Sequence, residues 1–336
     1  MFNGKTLLIT GGTGSFGKEF TRRMLTDYKP KKIIIFSRDE FKQFAMKNDF
    51  AQYKNSECLR FFIGDVRDKE RLWRAFNGVD FVIHAAALKQ VPSCEYNPFE
   101  AVKTNITGAQ NIVETALDRQ VPKVVALSTD KAVNPINLYG ATKLCSDKLF
   151  INANAYSGKK GTTLFSVVRY GNVTGSRGSV IPFFMKLIAD GARELPVTDM
   201  RMTRFWITLD QGVDLVIKAF GESKGGETYI SKIPSYRIDE VAKAIGGDDI
   251  QLKTIGIREG EKLHEIMVTV DDARSTYEYA DHFIIYPQYN WWSVKNHFTK
   301  GGKAVPEEFS YTSNNNTQWL SAQDMRQRLN NLHIEY

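Results

Sequence analysis

Cysteine is scarce in this 336-residue sequence, which contains only Cys58, Cys94 and Cys145. An odd number with no metal-ligand spacing argues against a disulfide framework or a zinc site, so we expect no bound metal. Long apolar runs are also missing, since none approaches the roughly 18–20 residues that cross a bilayer. The first residues lead straight into an apolar strand without a signal-peptide pattern. We therefore expect a cytoplasmic protein with reduced thiols and no membrane partner.

A block of one charge sign is absent as well. The 45 basic and 38 acidic residues give a net charge of +7 and are interleaved along the chain. Nucleic-acid-binding proteins usually gather their basic residues into one patch, so we expect no nucleic-acid partner. Small anionic ligands such as nucleotide phosphates account for a modest positive excess.

What the sequence does contain is a regular alternation of apolar runs and helical stretches. Buried strands are predicted at residues 5–10, 32–36, 59–63, 80–84, 123–128 and 164–169. This alternation predicts an α/β fold with a Rossmann-type doubly wound parallel sheet. After residue 172 the signals are shorter and mixed, which is typical of a smaller C-terminal substrate-binding lobe. The predicted units are a dinucleotide-binding domain, the lobe and a polar C-terminal extension, at 1–172, 173–290 and 291–336.

The turn after the first strand carries the glycines of a dinucleotide site. Gly11, Gly14 and Gly17 permit a tight turn, a close approach of backbone to pyrophosphate, and close packing of helix on strand. The positive end of the following helix then receives the phosphates. The same turn supplies three further predicted cofactor contacts, Thr13, Ser15 and Phe16.

The end of the second strand sets the preference between nicotinamide cofactors. Ser37 and Arg38 offer a hydroxyl and a guanidinium suited to the 2′-phosphate of NADP, although Asp39 could instead reach the ribose of NAD. Asp65 and Val66 follow the third strand, where they would contact the adenine. Alternatively, Asp65 caps the next helix.

Small residues follow the fourth strand and leave room beside the cofactor. Ala85 is a predicted cofactor contact, whereas His84 fits a packed, hydrogen-bonded histidine better than a catalyst. The topology places Lys89 and Asn105 near the cleft, and each is equally consistent with a solvated surface position.

The fifth strand leads into residues that carry acid–base chemistry. Tyr139 and Lys143 are four residues apart, which places them on one face of a helix. An ammonium beside a phenol stabilises the phenolate and lowers the pKa of the tyrosine. Asp130 and Lys131, next to Thr129, add a second acid–base pair that a plain alcohol dehydrogenase would not need.

With the glycine turn, Thr129 and the Tyr139–Lys143 pair, the chain resembles the extended short-chain dehydrogenase/reductase family. Retaining dehydratases of that family have Thr-Asp-Glu where this chain has Thr-Asp-Lys. The segments at 129–135 and 137–144 are similar to the inverting UDP-N-acetylglucosamine 4,6-dehydratases of the family, and the likeness covers residues 3–290. One departure is Gln90, where that pattern has histidine.

The resemblance implies an NADP-dependent inverting 4,6-dehydration of UDP-N-acetylglucosamine, an early step towards a surface sugar such as pseudaminic acid, by a homo-oligomer (dimer or hexamer). Tyr139, held as phenolate by Lys143, would accept the 4-hydroxyl proton. Lys131 would remove the C5 proton, and Asp130 would protonate the departing 6-hydroxyl. These roles need a lowered pKa at Lys131 and a raised pKa at Asp130. Burial shifts both pKa values in the required direction, and a salt bridge between the two residues opposes both.

A set of polar residues follows as predicted substrate contacts: Lys89, Asn172, Arg177, Thr203, Arg204, Arg258 and Glu261. Arginine suits a diphosphate because its planar guanidinium binds two oxygens at once. Glu261 either binds the uridine ribose or stabilises the following helix. Val173, beside Asn172, is the last predicted cofactor contact.

Two other functions stay open at this stage. One is a UDP-sugar 4-epimerase or 5-epimerase of the same fold, and the other is a catalytically silent dinucleotide-binding protein. The C-terminal extension packs either on the lobe or on another subunit.

Overall fold

The computed structural model describes residues 1–157, 163–174, 180–288, 299 and 301–330. The strands of these residues are β1 (Thr6–Thr10), β2 (Lys32–Ser37), β3 (Leu59–Ile63), β4 (Phe81–His84), β5 (Lys123–Thr129), β6 (Leu164–Tyr170), β7 (Glu194–Val197), β8 (Thr203–Phe205), β9 (Thr228–Ser231), β10 (Ser235–Arg237), β11 (Gln251–Thr254), β12 (Ile266–Val268), β13 (Thr276–Glu278), β14 (His282–Ile285), β15 (Lys303–Ala304) and β16 (Tyr311–Thr312). The helices are α1 (Ser15–Asp27), α2 (Glu40–Phe50), α3 (Lys69–Ala75), α4 (Val91–Tyr96), α5 (Pro98–Val102), α6 (Gly108–Asp118), α7 (Leu138–Ala153), α8 (Val180–Ala189), α9 (Leu209–Glu222), α10 (Ile238–Gly246), α11 (Val270–Ala273) and α12 (Ala322–Leu329).

A ten-stranded sheet organises the chain, in the order β3-β2-β1-β4-β5-β6-β9-β14-β13-β15. In this order, each strand from β3 to β9 is parallel to the next one. The pairs β9–β14, β14–β13 and β13–β15 are antiparallel. Leu7, Leu8 and Ile9 of β1 are fully buried, as expected for a parallel strand covered by helices on both faces. The predicted α/β doubly wound sheet is confirmed, and all six predicted strands form within one residue of their predicted ends.

The sheet extends beyond residue 172, because the chain returns to it. β9 adds in parallel beside β6, and β14 then pairs with β9. Both β9 and β14 therefore belong to the large sheet rather than to a separate lobe. The division of the chain at residue 172 stays a prediction.

A second apolar core lies outside the large sheet. It is built from helices α8, α10 and α12 and the small pairs β8–β10 and β7–β11, with Trp206 and Met325 among its fully buried side chains. The described part of the C-terminal extension packs on this same chain, since β16 pairs with β12 and the Tyr311 hydroxyl donates to the carbonyl of Ile233 (2.8 Å). Within residues 301–330, β15 pairs with β13 at the edge of the large sheet, and α12 packs on the second core.

The contacts at the start of helix α7 determine the position of Tyr139. Asn137 caps it by accepting a hydrogen bond from the amide of Gly140 (2.8 Å). A Cβ on Gly140 would collide with the carbonyl oxygen of Lys131, so only glycine lets the first turn of α7 lie against the turn at 130–132. Tyr139 is thereby placed beside Lys131.

The expectations drawn from composition also concern membrane crossing, cysteine thiols and metal binding. Within the described residues, no helix has both the length and the apolarity that a bilayer crossing requires. Cys58, Cys94 and Cys145 are free thiols. No cluster of metal-ligating side chains occurs in the described part of the chain.

Candidate active site

A cleft of about 550 Å³ opens at the carboxyl ends of the parallel strands. It lies where β1 and β4 neighbour each other and the strand order reverses direction, which is where doubly wound sheets bind ligands. Most of the predicted cofactor and acid–base residues line it, namely Gly11, Thr13, Gly14, Ser15, Phe16, Gly17, Ser37, Arg38, Asp65, Val66, Ala85, Thr129, Lys131, Tyr139, Lys143 and Val173.

The glycine turn has the geometry of a cradle for a phosphate-bearing group. Gly11 has φ of +67°, and a Cβ there would lie 2.9 Å from the backbone of Ala86. A Cβ on Gly17 would collide with the backbone of Gly12. These positions keep α1 close to β1 and leave backbone rather than side chains facing the cleft. The residues present therefore fit the pyrophosphate of a dinucleotide.

The end of β2 presents two cations to the cleft. Arg38 and Lys42 both line it, and Arg38 lies at its edge with its guanidinium 3.8 Å from Asp65. Asp39 caps α2 by accepting from the amide of Lys42 (2.9 Å). The hydroxyl of Ser37 accepts from the side chain of Gln43 (3.0 Å). Asp39 also lines the cleft, and its carboxylate lies 3.4 Å from the ammonium of Lys42. Each of the two cations therefore has a carboxylate beside it.

Asp65 does not cap the next helix. Asp68 does so, by accepting from the amide of Arg71 (2.9 Å), while Asp65 accepts from the amide and guanidinium of Arg67 (2.9 and 2.7 Å). The guanidinium and amide of Arg67 hold the pKa of Asp65 below its ordinary value despite partial burial, which acts in the opposite direction. The alternative prediction for Asp65, as a helix cap, is wrong.

His84 is a core residue, as the sequence pattern favoured. It is fully buried, and its Nδ1 lies 2.9 Å from the hydroxyl of Thr10. Burial, reinforced by the charge of Lys143, lowers the pKa of His84 to about 3. Asn105 is also buried rather than solvated. It exchanges two hydrogen bonds of 2.9 Å with the backbone of Leu88 and so anchors the loop that carries Lys89.

Tyr139 and Lys143 share one face of α7, but the Lys143 ammonium forms its hydrogen bond with the backbone of β5. Nζ of Lys143 donates to the carbonyl of Leu127 (2.8 Å). Burial raises the pKa of Tyr139 to about 12, and the neighbouring Lys131 charge and Thr129 hydroxyl only partly offset this. The predicted lowering of the tyrosine pKa is therefore wrong for this structure, because desolvation outweighs the nearby cations.

A buried carboxylate lies one helical turn after Lys143. Asp147 accepts a hydrogen bond from Ser128 on β5 and lies 3.8 Å from the guanidinium of Arg169 on β6. Burial raises the pKa of Asp147, against the opposing effects of Lys143 and Arg169. Burial lowers the pKa of Lys143, and the negative charge of Asp147 opposes this lowering. Sequence reasoning missed Asp147, although its spacing of four from Lys143 is a readable signal.

Lys131 is the centre of a polar cluster at the other side of Tyr139. Its Nζ lies 2.9 Å from Oδ1 of Asn172, 3.1 Å from Oδ1 of Asp130 and 3.3 Å from Oε1 of Glu265. The Thr129 hydroxyl donates to the same Asp130 oxygen (2.8 Å). Asp130 is buried, and its second oxygen has no hydrogen-bond partner among the described residues.

The cluster corrects one expectation and supports another. Burial alone would lower the pKa of Lys131, but the carboxylates of Asp130 and Glu265 outweigh it and raise that pKa above its ordinary value. The expected lowering is wrong because the salt bridge is present. Burial, with repulsion from Glu265, raises the pKa of Asp130 against the pull of Lys131. That direction agrees with the expectation for an acid.

The predicted substrate residues divide into two groups. Lys89 and Asn172 line the cleft. Thr203 does not, because it is buried and its hydroxyl lies 2.8 Å from His264 Nδ1 and 2.7 Å from the Ser313 hydroxyl. Arg177 falls outside the described residues.

Arg204 is also held by the protein itself. Its guanidinium is buried, donates to the carbonyl of Thr203 (2.8 Å), and contacts Glu261 (3.1 Å) and Glu265 (3.4 Å). Glu261 is thus engaged by Arg204, and a strand, β12, follows it rather than the predicted helix. Arg258 is exposed and lies outside the lining of the cleft.

The residue that sequence reasoning missed in this cluster is Glu265. It comes four residues after Glu261, and nothing in the local sequence links it to Lys131. The link is made by the fold, since 134 residues separate the two partners.

The glycine cradle, the cleft and the Tyr139–Lys143 pair define an enzyme of the extended short-chain dehydrogenase/reductase class. Within that class, the chain belongs to the polysaccharide biosynthesis protein family, whose sequence model matches residues 7–287.

Two curated relatives are similar over nearly the whole chain. A UDP-N-acetylglucosamine 4,6-dehydratase (inverting) of Campylobacter jejuni is 56% identical over 335 residues, covering 98% of each chain. A UDP-glucose 4-epimerase of Rickettsia akari is 42% identical and covers 98% of this chain and 96% of its own.

Solved structures agree with the fold. Pen from Bacillus thuringiensis superposes with a TM-score of 0.88 at 38% identity over the whole of both chains. DesIV, a dTDP-glucose 4,6-dehydratase from Streptomyces venezuelae solved with NAD and TYD bound, has a TM-score of 0.66 at 25% identity. It covers 77% of this chain and 86% of its own.

Proposed function

We propose that the protein catalyses the inverting 4,6-dehydration of UDP-N-acetylglucosamine, with epimerisation at C5, to a UDP-4-keto-6-deoxy-L-hexosamine. The observation that carries the proposal is the Asp130–Lys131 pair beside the start of α7. Lys131 and Tyr139 line the cleft, and Asp130 is buried against Lys131 outside that lining. The similarity to the C. jejuni inverting dehydratase supports the same assignment.

Tyr139 acts first in the proposed reaction. It accepts the proton of the substrate's 4-hydroxyl, and the positive charge of Lys131 and the Thr129 hydroxyl favour the phenolate that this requires. The bound nicotinamide supplies the hydride acceptor for the oxidation and the hydride donor for the final reduction. Thr129 links Tyr139 to Asp130 as a hydrogen-bonding hydroxyl.

Asp130 and Lys131 then act as an acid and a base. The 4-ketone acidifies the C5 proton, Lys131 as the amine removes it, and Asp130 as the carboxylic acid protonates the departing 6-hydroxyl. The elimination produces water and leaves Lys131 as ammonium and Asp130 as carboxylate. The hydride taken from C4 would return to C6, and protonation of C5 from the opposite face then inverts that centre. The raised pKa of Asp130, caused mainly by burial, suits its role as an acid.

We propose NADP as the cofactor and a direct role of the cleft residues in binding it. Arg38 and Lys42 would hold the 2′-phosphate, since charged hydrogen bonds to phosphate are strong. DesIV was solved with NAD bound. For this chain, the proposed preference for NADP rests on the cations at the end of β2. Lys89 and Asn172 are the proposed substrate contacts within the cleft.

A single experiment tests the reaction. The purified protein with NADP is incubated with UDP-N-acetylglucosamine in deuterated water, and the product is examined by mass spectrometry and proton NMR. We expect a product lighter by one water, with deuterium at C5 and the configuration of an L-sugar. A product of unchanged sugar formula would instead identify a 4- or 5-epimerase, and the absence of any turnover would favour a silent dinucleotide-binding protein.

The 4-epimerase is the second candidate, supported by the similarity to the R. akari epimerase. An epimerase that oxidises and reduces C4 needs Tyr139 but no acid–base pair at C5 and C6. The buried Asp130 and its salt bridge to Lys131 therefore favour the dehydratase.

The setting of the reaction is also a proposal. We place the enzyme in the cytoplasm as a homo-oligomer that supplies a surface sugar such as pseudaminic acid. The free thiols of Cys58, Cys94 and Cys145 suit a reducing compartment. The exposed Tyr96 and Phe99 support contact with a second copy of the chain, which light scattering during size-exclusion chromatography would reveal.

A further inference from the structure

Glu265 is a buried carboxylate that the proposed roles leave without an assignment. It is 2% exposed and immediately precedes β12. Its Oε1 lies 3.3 Å from Nζ of Lys131 and 3.4 Å from Nε of Arg204. Its Oε2 is buried and has no hydrogen-bond partner among the described residues. Burying a carboxylate costs free energy unless its charge is paired with that of nearby cations.

The contacts of Lys131 match those of an ammonium. An ammonium has three N–H donors, and Nζ has three acceptors, on Asp130, Asn172 and Glu265. A lysine that acts as a base must carry one proton fewer. Moving one proton from Nζ of Lys131 to Oδ1 of Asp130 converts ammonium and carboxylate into amine and carboxylic acid, with no change in net charge. These are the two species that the proposed elimination uses.

The charge of Glu265 acts on both ends of this proton transfer. It stabilises the ammonium of Lys131, and it adds to burial in raising the pKa of Asp130. A neutral side chain in its place would make Lys131 easier to deprotonate and would leave Asp130 a stronger acid. Glu265 therefore raises both pKa values together, so its charge sets the pH at which the pair loses a proton rather than the position of the proton between Lys131 and Asp130.

We propose, building on the dehydratase function, that Glu265 is a positioning residue of the elimination. It holds the Lys131 side chain against Asp130 and Asn172, and it sets the pH at which Lys131 becomes a free amine.

Other charged and titratable groups also face Glu265, from every element packed around it. They are Asp130 and Lys131 after β5, Arg204 on β8, Tyr236 on β10 and Lys262 in the same loop. Arg204 keeps Glu261 as a second carboxylate partner if Glu265 is changed. Lys262 donates to the carbonyl of Val133. The effect of removing the Glu265 charge is thus concentrated on Lys131 and Asp130.

The test is the pH dependence of C5 exchange. Wild type and Glu265→Gln, each with NADP and UDP-N-acetylglucosamine, are compared for solvent deuterium incorporation at C5 as the pH is raised. Glutamine keeps the size of the side chain and removes its charge. We expect the rising limb of the profile to move to lower pH by about one unit or more in the variant.

Two further variants complete the design. Glu261→Gln removes a carboxylate from Arg204 but none from Lys131, so its limb should stay at the wild-type pH whatever its effect on rate. Glu265→Asp sets the charge back by one methylene group, so its limb should move in the same direction as that of Glu265→Gln but by less. Thermal unfolding establishes that each variant is folded.

An unmoved limb in Glu265→Gln, with only a lower kcat, would overturn the proposal and leave Glu265 a packing residue. If that variant fails to fold, Glu265→Asp decides in the same way. Failure of the proposed function has a different signature, because wild-type protein would then release no water from the substrate.

Discussion

The ammonium of Lys131 lies 3.1 Å from a carboxylate oxygen of its sequence neighbour Asp130. Adjacent residues form this pair because the chain turns sharply at 130–132, directly after β5, and both side chains meet below the start of α7. The turn thereby places a proton donor and a proton acceptor at one point of the cleft. Their separate contributions can be measured by removing one partner at a time.

Lys131→Ala should abolish the exchange of the C5 proton with solvent deuterium. A general base contributes about 10²–10⁴-fold to such a step, so we expect exchange to fall by at least about 100-fold. Nicotinamide reduction should persist at a lower rate, since Tyr139 keeps its hydroxyl but loses the Lys131 charge that favours its phenolate. Proton NMR in deuterated water and the absorbance of reduced nicotinamide measure the two steps separately. Wild-type exchange in the variant would assign the base to another residue.

Tyr139→Phe should block the first oxidation. The variant lacks the hydroxyl that accepts the 4-hydroxyl proton, so nicotinamide reduction on mixing with substrate should fall by at least about 100-fold. Calorimetric binding of NADP should be retained because the ring remains. Tyr96→Phe is the matched control, since Tyr96 is 88% exposed and lies outside the cleft. Normal reduction in Tyr139→Phe would remove Tyr139 from the reaction.

Arg38→Ala should weaken NADP binding and leave NAD binding nearly unchanged. A hydrogen bond to a charged group is worth about 1.5–3 kcal/mol, which corresponds to about a 10–100-fold rise in the Kd for NADP. Titration calorimetry with both cofactors gives the ratio directly. Lys47→Ala, on the helix α2 that follows Arg38 but outside the cleft lining, is the control. Equal weakening for NAD and NADP would contradict recognition of the 2′-phosphate.

The parts of this protein that sequence reasoning predicts well are those decided by local pattern. β1 is predictable because a strand buried on both faces needs a continuous apolar run. The turn at Gly11 is predictable because its positive φ and its close approach to Ala86 require glycine. Tyr139 and Lys143 are recognisable because helical spacing places them on one face. Each of these signals lies within a few residues of sequence.

Other parts of the site depend on contacts between distant segments, which no local pattern reports. Arg204 was expected to hold a diphosphate, yet Glu261 and Glu265 already occupy its guanidinium. The pKa of Lys131 was expected to fall, and Glu265, from a segment 134 residues away, is one reason that it rises. Local chemistry thus indicates which groups are present, whereas the fold decides their partners and charge states.

His84 predicts a loss of stability in mild acid. Its pKa is lowered from 6.5 to about 3 in the folded protein by burial and by Lys143. As the pH falls from about 6.5 to about 3, the unfolded chain therefore gains a proton that the folded chain does not. This group alone should cost about 1.4 kcal/mol of stability per pH unit in that window. Thermal unfolding of wild type and His84→Gln across this range measures it, and the wild type should lose stability more steeply. Parallel curves would contradict a buried neutral histidine.

Ser313 connects the C-terminal extension to the catalytic cluster and provides the last prediction. Its fully buried hydroxyl accepts from the amide of Glu265 (2.9 Å) and donates to the carbonyl of Thr203 (3.1 Å). Ser313→Ala leaves the buried amide of Glu265 without its partner, which should lower the free energy of unfolding by about 1–3 kcal/mol. The Thr203 carbonyl keeps its hydrogen bond from Arg204. Dehydratase activity should fall as well, because the backbone that aims Glu265 at Lys131 loses a support.

Ser310→Ala is the matched control, since its hydroxyl only accepts a surface hydrogen bond from Asn315. We expect it to change the free energy of unfolding by less than about 0.5 kcal/mol and to leave activity at the wild-type level. Denaturant titration and steady-state product formation measure the two quantities. If Ser313→Ala instead changed only the mass of the assembly, the extension would serve subunit contacts rather than the cluster around Lys131. Loss of both stability and activity would show that the extension supports the reacting groups within its own chain.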